Sequence, residues 1–168
     1  MNIEDAIGQA IAYETRIRDL YREAADQTVD AKGVKVFTTL ADDEQRHIDY
    51  LEHKRRQWHQ EGALTVEPLL SLVPPAETFQ SELEGLQAQM DRDDRGDEKR
   101  MLSKALKVEV ETSEFYRRMV GEMEGEAREM FTRFLEIEDG HIAIVQAELD
   151  YISHNGFWFD IQEFDMEH

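Results

Sequence analysis

Two short segments of the sequence place a glutamate three positions before a histidine. They read "EQRH" from Glu44 to His47 and "EDGH" from Glu138 to His141. Residues three apart lie on the same face of a helix, so each segment can present a carboxylate and an imidazole together. Carboxylate oxygens and imidazole nitrogens are donors by which proteins hold transition-metal ions. The two segments therefore indicate two halves of a metal site, although glutamate is frequent in this chain.

Four glutamates, one on each predicted long helix, interrupt apolar faces at positions where leucine would be expected. Burying a carboxylate costs several kcal/mol unless it is paired or bound to a cation. Each lies about 14 to 16 residues from the turn that joins its helix to its neighbour, so all four reach one level of a bundle. With the two histidines, they make six predicted metal ligands: Glu14, Glu44, His47, Glu109, Glu138 and His141.

The donor types limit the metal. Four carboxylates that converge in a core repel one another, and two divalent or trivalent cations would neutralise them. A mixture of glutamate and histidine suits iron or manganese better than calcium. The chain has no cysteine, which excludes thiolate zinc sites and cysteine-ligated iron–sulfur clusters. We therefore expect two iron ions as the cofactor, with manganese or zinc as alternatives.

Two tyrosines follow the ligands at a helical interval. Tyr21 and Tyr116 lie seven residues after Glu14 and Glu109, two turns along the same helix face. Their hydroxyl groups could hydrogen-bond to a carboxylate ligand and orient it. Ordinary packing of aromatic rings in the core explains the same spacing equally well. No catalytic residue beyond the ligands and these tyrosines is predicted.

The periodicity of apolar residues predicts four long helices that position the ligands. Their predicted bounds are about 3–25, 31–60, 97–121 and 126–154. Short turns join the first helix to the second and the third to the fourth. The segment of about 62–96, which includes a predicted short helix, is long enough to cross over along the bundle. The sequence thus predicts an all-α four-helix bundle with one long crossover between helices 2 and 3.

An internal repeat supports this arrangement. "AIAYETRIRDLY" (10–21) aligns with "ALKVEVETSEFY" (105–116), and "FTTLADDEQRHI" (37–48) aligns with "FTRFLEIEDGHI" (131–142). Both alignments have an offset of about 94 residues, so the two helical hairpins look like copies of one unit. The six predicted ligands occupy equivalent positions in the two copies.

Length, composition and charge restrict the remaining properties. The 168 residues suffice for one domain (1–168), and a net charge of −19 argues against binding to nucleic acid. No apolar run is long enough to span a membrane, and "MNIEDAIGQA" lacks the features of a signal peptide, which predicts the cytoplasm. The aromatic, acidic tail (155–168) is expected to pack across the bundle or against a second subunit, as in a homodimer or a higher homo-oligomer.

The sequence resembles the ferritin-like superfamily and, within it, the rubrerythrin-like proteins. The resemblance covers roughly residues 3–155 and rests on "AYETRIRDLY", "DDEQRHIDYLE", "LKVEVETSEFY" and "EIEDGHIAIV". It implies that the glutamates of the two Glu-x-x-His segments bridge or chelate the metals. The glutamates of the other two helices would be terminal ligands, and each histidine would bind one metal.

The chain also departs from the rubrerythrin pattern. Rubrerythrins proper carry a cysteine-ligated rubredoxin-type domain that supplies electrons, and this chain has no cysteine. They also carry a further glutamate on the third helix, where this chain has Thr112, while Glu111 turns away from the apolar face. The remaining ligand set is symmetric, as in bacterioferritin-like centres. If the protein is a reductase, its electrons would come from a separate donor protein.

Three functions are compatible with the sequence. The leading hypothesis is a cytoplasmic, non-haem di-iron oxidoreductase that reacts with O₂ or H₂O₂, which includes ferroxidase and peroxide-detoxifying activity. The alternative is a non-catalytic metal-binding or structural bundle that holds zinc or manganese. A third possibility is a di-iron oxygenase acting on an organic substrate.

Overall fold

A computed structural model describes residues 1–73, 96–155 and 158. It contains four helices, which are α1 (Ile3–Gln27), α2 (Ala31–Glu61), α3 (Gly96–Glu122) and α4 (Gly125–Asn155), and no strand within these described residues. Their ends lie within two residues of the predicted ones, and the predicted all-α four-helix bundle is confirmed. The predicted short helix of the crossover and all of the tail beyond residue 155 except Trp158 fall outside the described residues.

Local sequence explains where the first two helices begin and where the second one ends. The side-chain oxygen of Asn2 accepts a hydrogen bond from the N–H of Asp5 at 2.8 Å, which caps the N-terminus of α1. Asp30 caps α2 in the same way. Gly62 ends α2 with a φ of 64°, a left-handed conformation that glycine adopts without steric cost.

Contacts between helices give their directions. Tyr21 lies beside Glu109, and Tyr116 lies beside Glu14, so α1 and α3 are antiparallel. The short turns after α1 and after α3 make each hairpin antiparallel as well. Helices α2 and α3 are therefore parallel, which is the arrangement that requires a long crossover between them.

The first part of the crossover, residues 62–73, is called the crossover strap below. It lies along α2 and runs in the opposite direction. Near its start, Lys54 donates a hydrogen bond to the Glu67 carboxylate, and the Tyr50 hydroxyl donates to the Glu67 carbonyl oxygen at 2.9 Å. Further along, the N–H of Leu72 donates to Asp43, more than two turns nearer the start of α2. The strap thus carries the chain back toward the end of the bundle where α3 begins.

The core consists of two apolar clusters with a layer of charged residues between them. One cluster includes Ile17, Tyr21, Phe37, Leu40 and Val145, and the other includes Ile7, Ala10, Leu51, Phe131 and Phe134. The polar layer at the level of Glu14 is fully buried. Within the described part of the chain, no helix has both the length and the apolar character required to cross a membrane.

Trp158 is the residue of the tail whose position is described, and it packs on the bundle. Its ring meets Phe37 edge to face, with a centroid distance of 5.2 Å, and its indole N–H donates to Glu98 at 2.8 Å. Gly33 gives the indole its space, because a Cβ at this position would lie 2.6 Å from a ring carbon of Trp158. This contact agrees with the first of the two packing modes expected for the tail.

We predict that Gly33→Ala destabilises the protein by about 1–3 kcal/mol, because the added methyl group overlaps the indole and forces a local shift. Chemical denaturation gives the free energy of unfolding. Gly8→Ala is the matched control, since nothing lies within 4 Å of a Cβ there. Gly8 lies inside α1, so this substitution should stabilise by about 0.5–1 kcal/mol. Equal effects of the two substitutions would contradict the contact.

Candidate metal centre

All six predicted ligands lie at one level of the bundle, and each is fully buried. Their donor atoms form two groups, and within each group the atoms lie within 4.8 Å of one another. The first group consists of Glu14, Glu44, His47 and Glu138, and the second consists of Glu44, Glu109, Glu138 and His141. Glu44 and Glu138 belong to both groups. Each group could hold a metal ion, with these two carboxylates shared between the ions.

The two histidines face the carboxylates with the same ring nitrogen. The Nδ1 atom of His141 lies 2.6 Å from Glu44 and 3.4 Å from Glu109. The Nδ1 atom of His47 lies 3.3 Å from Glu44 and 3.4 Å from Glu14. The imidazole rings are nearly parallel, with a centroid distance of 5.6 Å. The site is therefore close to two-fold symmetric, as the internal repeat predicts.

The donor atoms that converge in this layer have no hydrogen-bond partner among the described residues. They include both oxygens of Glu44 and Glu138, the Oε2 atoms of Glu14 and Glu109, and the Nδ1 atoms of both histidines. Buried polar atoms without a partner are rare in folded proteins because each costs free energy. So many in one place fit cation coordination. Carboxylate and imidazole donors without a thiolate suit iron, manganese or zinc.

The two tyrosines contact the ligands, and each does so across the two hairpins. The Tyr21 hydroxyl donates to Oε1 of Glu109 at 2.5 Å, and the Tyr116 hydroxyl donates to Oε1 of Glu14 at 2.5 Å. Each bond engages one carboxylate oxygen and leaves Oε2 for a metal. Burial, followed by the charge of the neighbouring glutamates, raises the pKa of both tyrosines well above the ordinary value. Both hydroxyl groups therefore remain protonated donors at neutral pH.

Sequence reasoning missed one residue of the site, Asp43. Its side chain is fully buried, and its Oδ2 lies 2.6 Å from Nε2 of His141 and 3.6 Å from Nε2 of His47. A carboxylate at Nε2 fixes the proton there and leaves Nδ1 to bind a metal. The available signal was its spacing, four positions before His47 on the same helix face.

The two α3 residues at which the chain departs from the rubrerythrin pattern, Thr112 and Glu111, have partners outside the donor groups. Thr112 is buried, and its hydroxyl donates to the carbonyl oxygen of Val108 at 2.8 Å. Glu111 lies at the surface and pairs with Arg16 at 2.9 Å. Neither residue belongs to the donor groups of the described part of the chain. Helix α3 thus contributes one residue to these donor groups, Glu109, as α1 contributes Glu14.

Comparisons with protein-family models, with curated proteins and with solved structures find no match to this chain. The interpretation of the centre therefore depends on its donor atoms and on the repeat. The repeat pairs Glu14 with Glu109, Glu44 with Glu138, and His47 with His141. Chance acidic clusters would not follow such a repeat into the core of the bundle.

The buried groups of this layer shift one another's pKa values. Burial, together with the neighbouring glutamates, raises the pKa of Glu44 and Glu138 well above the ordinary value. Burial acts in the same direction on Glu14, but the adjacent Glu44 carboxyl and the His47 cation outweigh it and lower the pKa of Glu14 to about 2. Burial alone would lower the pKa of the histidines. The surrounding glutamates raise the pKa of His47 to about 10 and that of His141 well above its ordinary value.

We predict that metal binding releases protons. The raised pKa values of Glu44, Glu138 and both histidines favour their protonated forms, and a cation must displace the protons that they hold. Metal affinity should therefore increase with pH, by about tenfold per pH unit for each displaced proton. Calorimetric titration with Zn²⁺ in two buffers of different ionisation enthalpy gives the number of protons. Binding without proton release, and with pH-independent affinity near neutrality, would contradict this protonation pattern.

We predict different metal losses for terminal and shared glutamates. Glu14→Ala removes a donor from one group only, so the second group should still bind its ion. Glu138→Ala removes a donor from both groups and should weaken both ions. Elemental analysis after dialysis against a weak chelator gives the number of ions per chain. Glu111→Ala is the matched control, because this glutamate is at the surface. Unchanged metal content in both ligand variants would show that these glutamates do not bind metal.

Proposed function

We propose that this chain is a ferritin-like, non-haem di-iron carboxylate protein of the rubrerythrin-like kind, and that it acts as an oxidoreductase toward O₂ or H₂O₂. Ferroxidase and peroxide-detoxifying activities are both included. The observation that carries the proposal is the pair of buried donor groups that share Glu44 and Glu138. Two metals bridged in this way can act on one small molecule together, which two separate sites could not do.

When bound, a pair of Fe(II) ions would supply two electrons to an O–O bond, one from each ion. The protein would hold the ions by two terminal glutamates, two shared glutamates and two histidines. Tyr21 and Tyr116 would fix the terminal glutamates through Oε1, so that Oε2 points into the centre. Asp43 would keep a proton on Nε2 of His141. These fixed donors would reduce the rearrangement that a change in metal charge requires.

Burial contributes a second property of the centre. All six ligands are fully buried between the two apolar clusters, so bulk water is kept away from them. Small uncharged molecules such as O₂ and H₂O₂ can reach such a layer at a lower desolvation cost than ions can. The chain has no cysteine to hold an iron–sulfur electron carrier, so a separate protein would supply the electrons if the protein acts as a reductase.

Anaerobic reconstitution with Fe(II), followed by O₂ or H₂O₂, tests the proposal. We expect two Fe(II) ions to bind per chain and to be oxidised together, with a ligand-to-metal absorption band that appears in step with oxidation. Glu138→Ala should lose most of this rapid phase because both ions depend on that residue. Glu111→Ala should behave like the wild type. Oxidation rates with the two oxidants would separate a ferroxidase from a peroxidase.

The opposite result has a definite meaning. If the purified protein holds zinc or manganese, and Fe(II) is neither bound nor oxidised, the redox proposal is wrong. The same donor groups would then belong to a non-catalytic metal-binding bundle. The mass of the assembly, measured on the same sample, would test the predicted homodimer or higher oligomer.

A further inference from the structure

Asp43 of the first hairpin hydrogen-bonds to the histidine of the second hairpin, and the repeat places no carboxylate at the equivalent position. Asp43 lies in α2. Its Oδ2 atom lies 2.6 Å from Nε2 of His141 and 3.6 Å from Nε2 of His47. The equivalent position in the second hairpin is Ile137, an apolar residue of the core. The two-fold symmetry of the ligands is therefore broken at their hydrogen-bond partners. The orientation of the His141 imidazole therefore depends on this single side chain.

The crossover strap holds Asp43 in place. The Ser71 hydroxyl donates to Oδ2 at 2.7 Å, and the backbone N–H of Leu72 donates to Oδ1 at 2.7 Å. The Ser71 oxygen in turn accepts from the N–H of Val73 at 3.1 Å, which fixes the hydroxyl. Both oxygens of Asp43 are thus held from the strap, and Oδ2 is shared with His141.

The strap is itself attached to the bundle along its length. Leu69 and Val73 are buried, and the carbonyl oxygen of Leu69 accepts from Nε of Arg133 on α4 at 2.9 Å. Lys54 of α2 is fully buried and bonds to Glu67. The strap therefore touches both helices that supply the histidines. A change in its docking would reach the His141 imidazole through one side chain, Asp43.

We propose that Ser71 and the N–H of Leu72 are positioning groups of the metal centre. Through Asp43 they hold the His141 imidazole with Nδ1 toward the proposed metals, so that docking of the crossover strap and metal binding stabilise each other. This inference rests on the proposed metal site and adds to it a segment outside the helices. Because such coupling is reciprocal, a metal that gains affinity from the docked strap must stabilise the docked strap by the same factor.

Metal affinity tests the first half of the coupling, with Zn²⁺ as a redox-inert probe and a chromophoric chelator as competitor. Ser71→Ala removes one hydrogen bond of Asp43 and should weaken binding by about two- to tenfold. Asp43→Asn should weaken it by about ten- to a hundredfold. Ser71→Thr keeps a hydroxyl group and should retain the affinity of the wild type. Ser113→Ala is the matched control.

The control removes a comparable hydrogen bond from elsewhere in the bundle. The Ser113 hydroxyl donates to Asp139 at 2.6 Å, and the other ion-pair partner of Asp139 among the described residues is Arg117 at 3.8 Å. Its Zn²⁺ affinity should equal that of the wild type. A loss of Zn²⁺ affinity caused only by a lower stability of the folded protein would appear in both serine variants. A loss that follows the orientation of Asp43 would appear only in Ser71→Ala.

Hydrogen exchange tests the second half in the unmodified protein. Peptides that cover residues 62–73 should exchange more slowly with Zn²⁺ than without it, and Ser71→Ala should reduce this difference. The inference is overturned if the wild type binds two Zn²⁺ ions while strap exchange is independent of metal and Ser71→Ala matches Ser113→Ala. If the wild type binds no divalent metal, the proposed function fails as well, and the titration of the wild type alone shows it.

Discussion

The burial of four carboxylates and two imidazoles at one level of a helical bundle is the constraint on which the rest of the structure depends. Such a layer is unstable by itself because each group loses its hydration and the carboxylates repel one another. Apolar clusters on both sides exclude water from it. The layer therefore requires either shared protons or cations, and burial with the neighbouring carboxylates raises the pKa of Glu44 and Glu138, which favours the first.

The repeat explains how the two halves of the layer match, and the crossover explains why they are not identical. Each hairpin supplies one glutamate from its first helix and a Glu-x-x-His pair from its second. The tyrosines exchange their hydrogen bonds between the hairpins, so each half orients a ligand of the other. The crossover strap follows the first hairpin, and its Ser71 and Leu72 donate hydrogen bonds to Asp43, where the second hairpin has Ile137.

Periodicity and spacing were sufficient to predict the four helices and the six convergent side chains. These features depend on residues close in sequence or on the register between long antiparallel helices, which the turn positions fix. Asp43 was missed because its partners, His141 and the strap, lie far away in sequence. Within the acidic segment "DDEQRH", the spacing to His47 places Asp43 on the same helix face, but it does not reveal these distant partners. The close contact of Gly33 with Trp158 was missed for the same reason, because the two residues lie far apart in the sequence.

The number of donors separates the two chemical roles that the centre could have. Each group offers four protein residues, and four donors complete a tetrahedral zinc site with no position for a further ligand. Iron accepts up to about six ligands, so the same residues would leave positions open on each ion. Since Glu44 and Glu138 lie between the two groups, open positions on both ions could be used by one small molecule. The same buried ligands would therefore form a closed structural centre with zinc and an open, reactive one with iron.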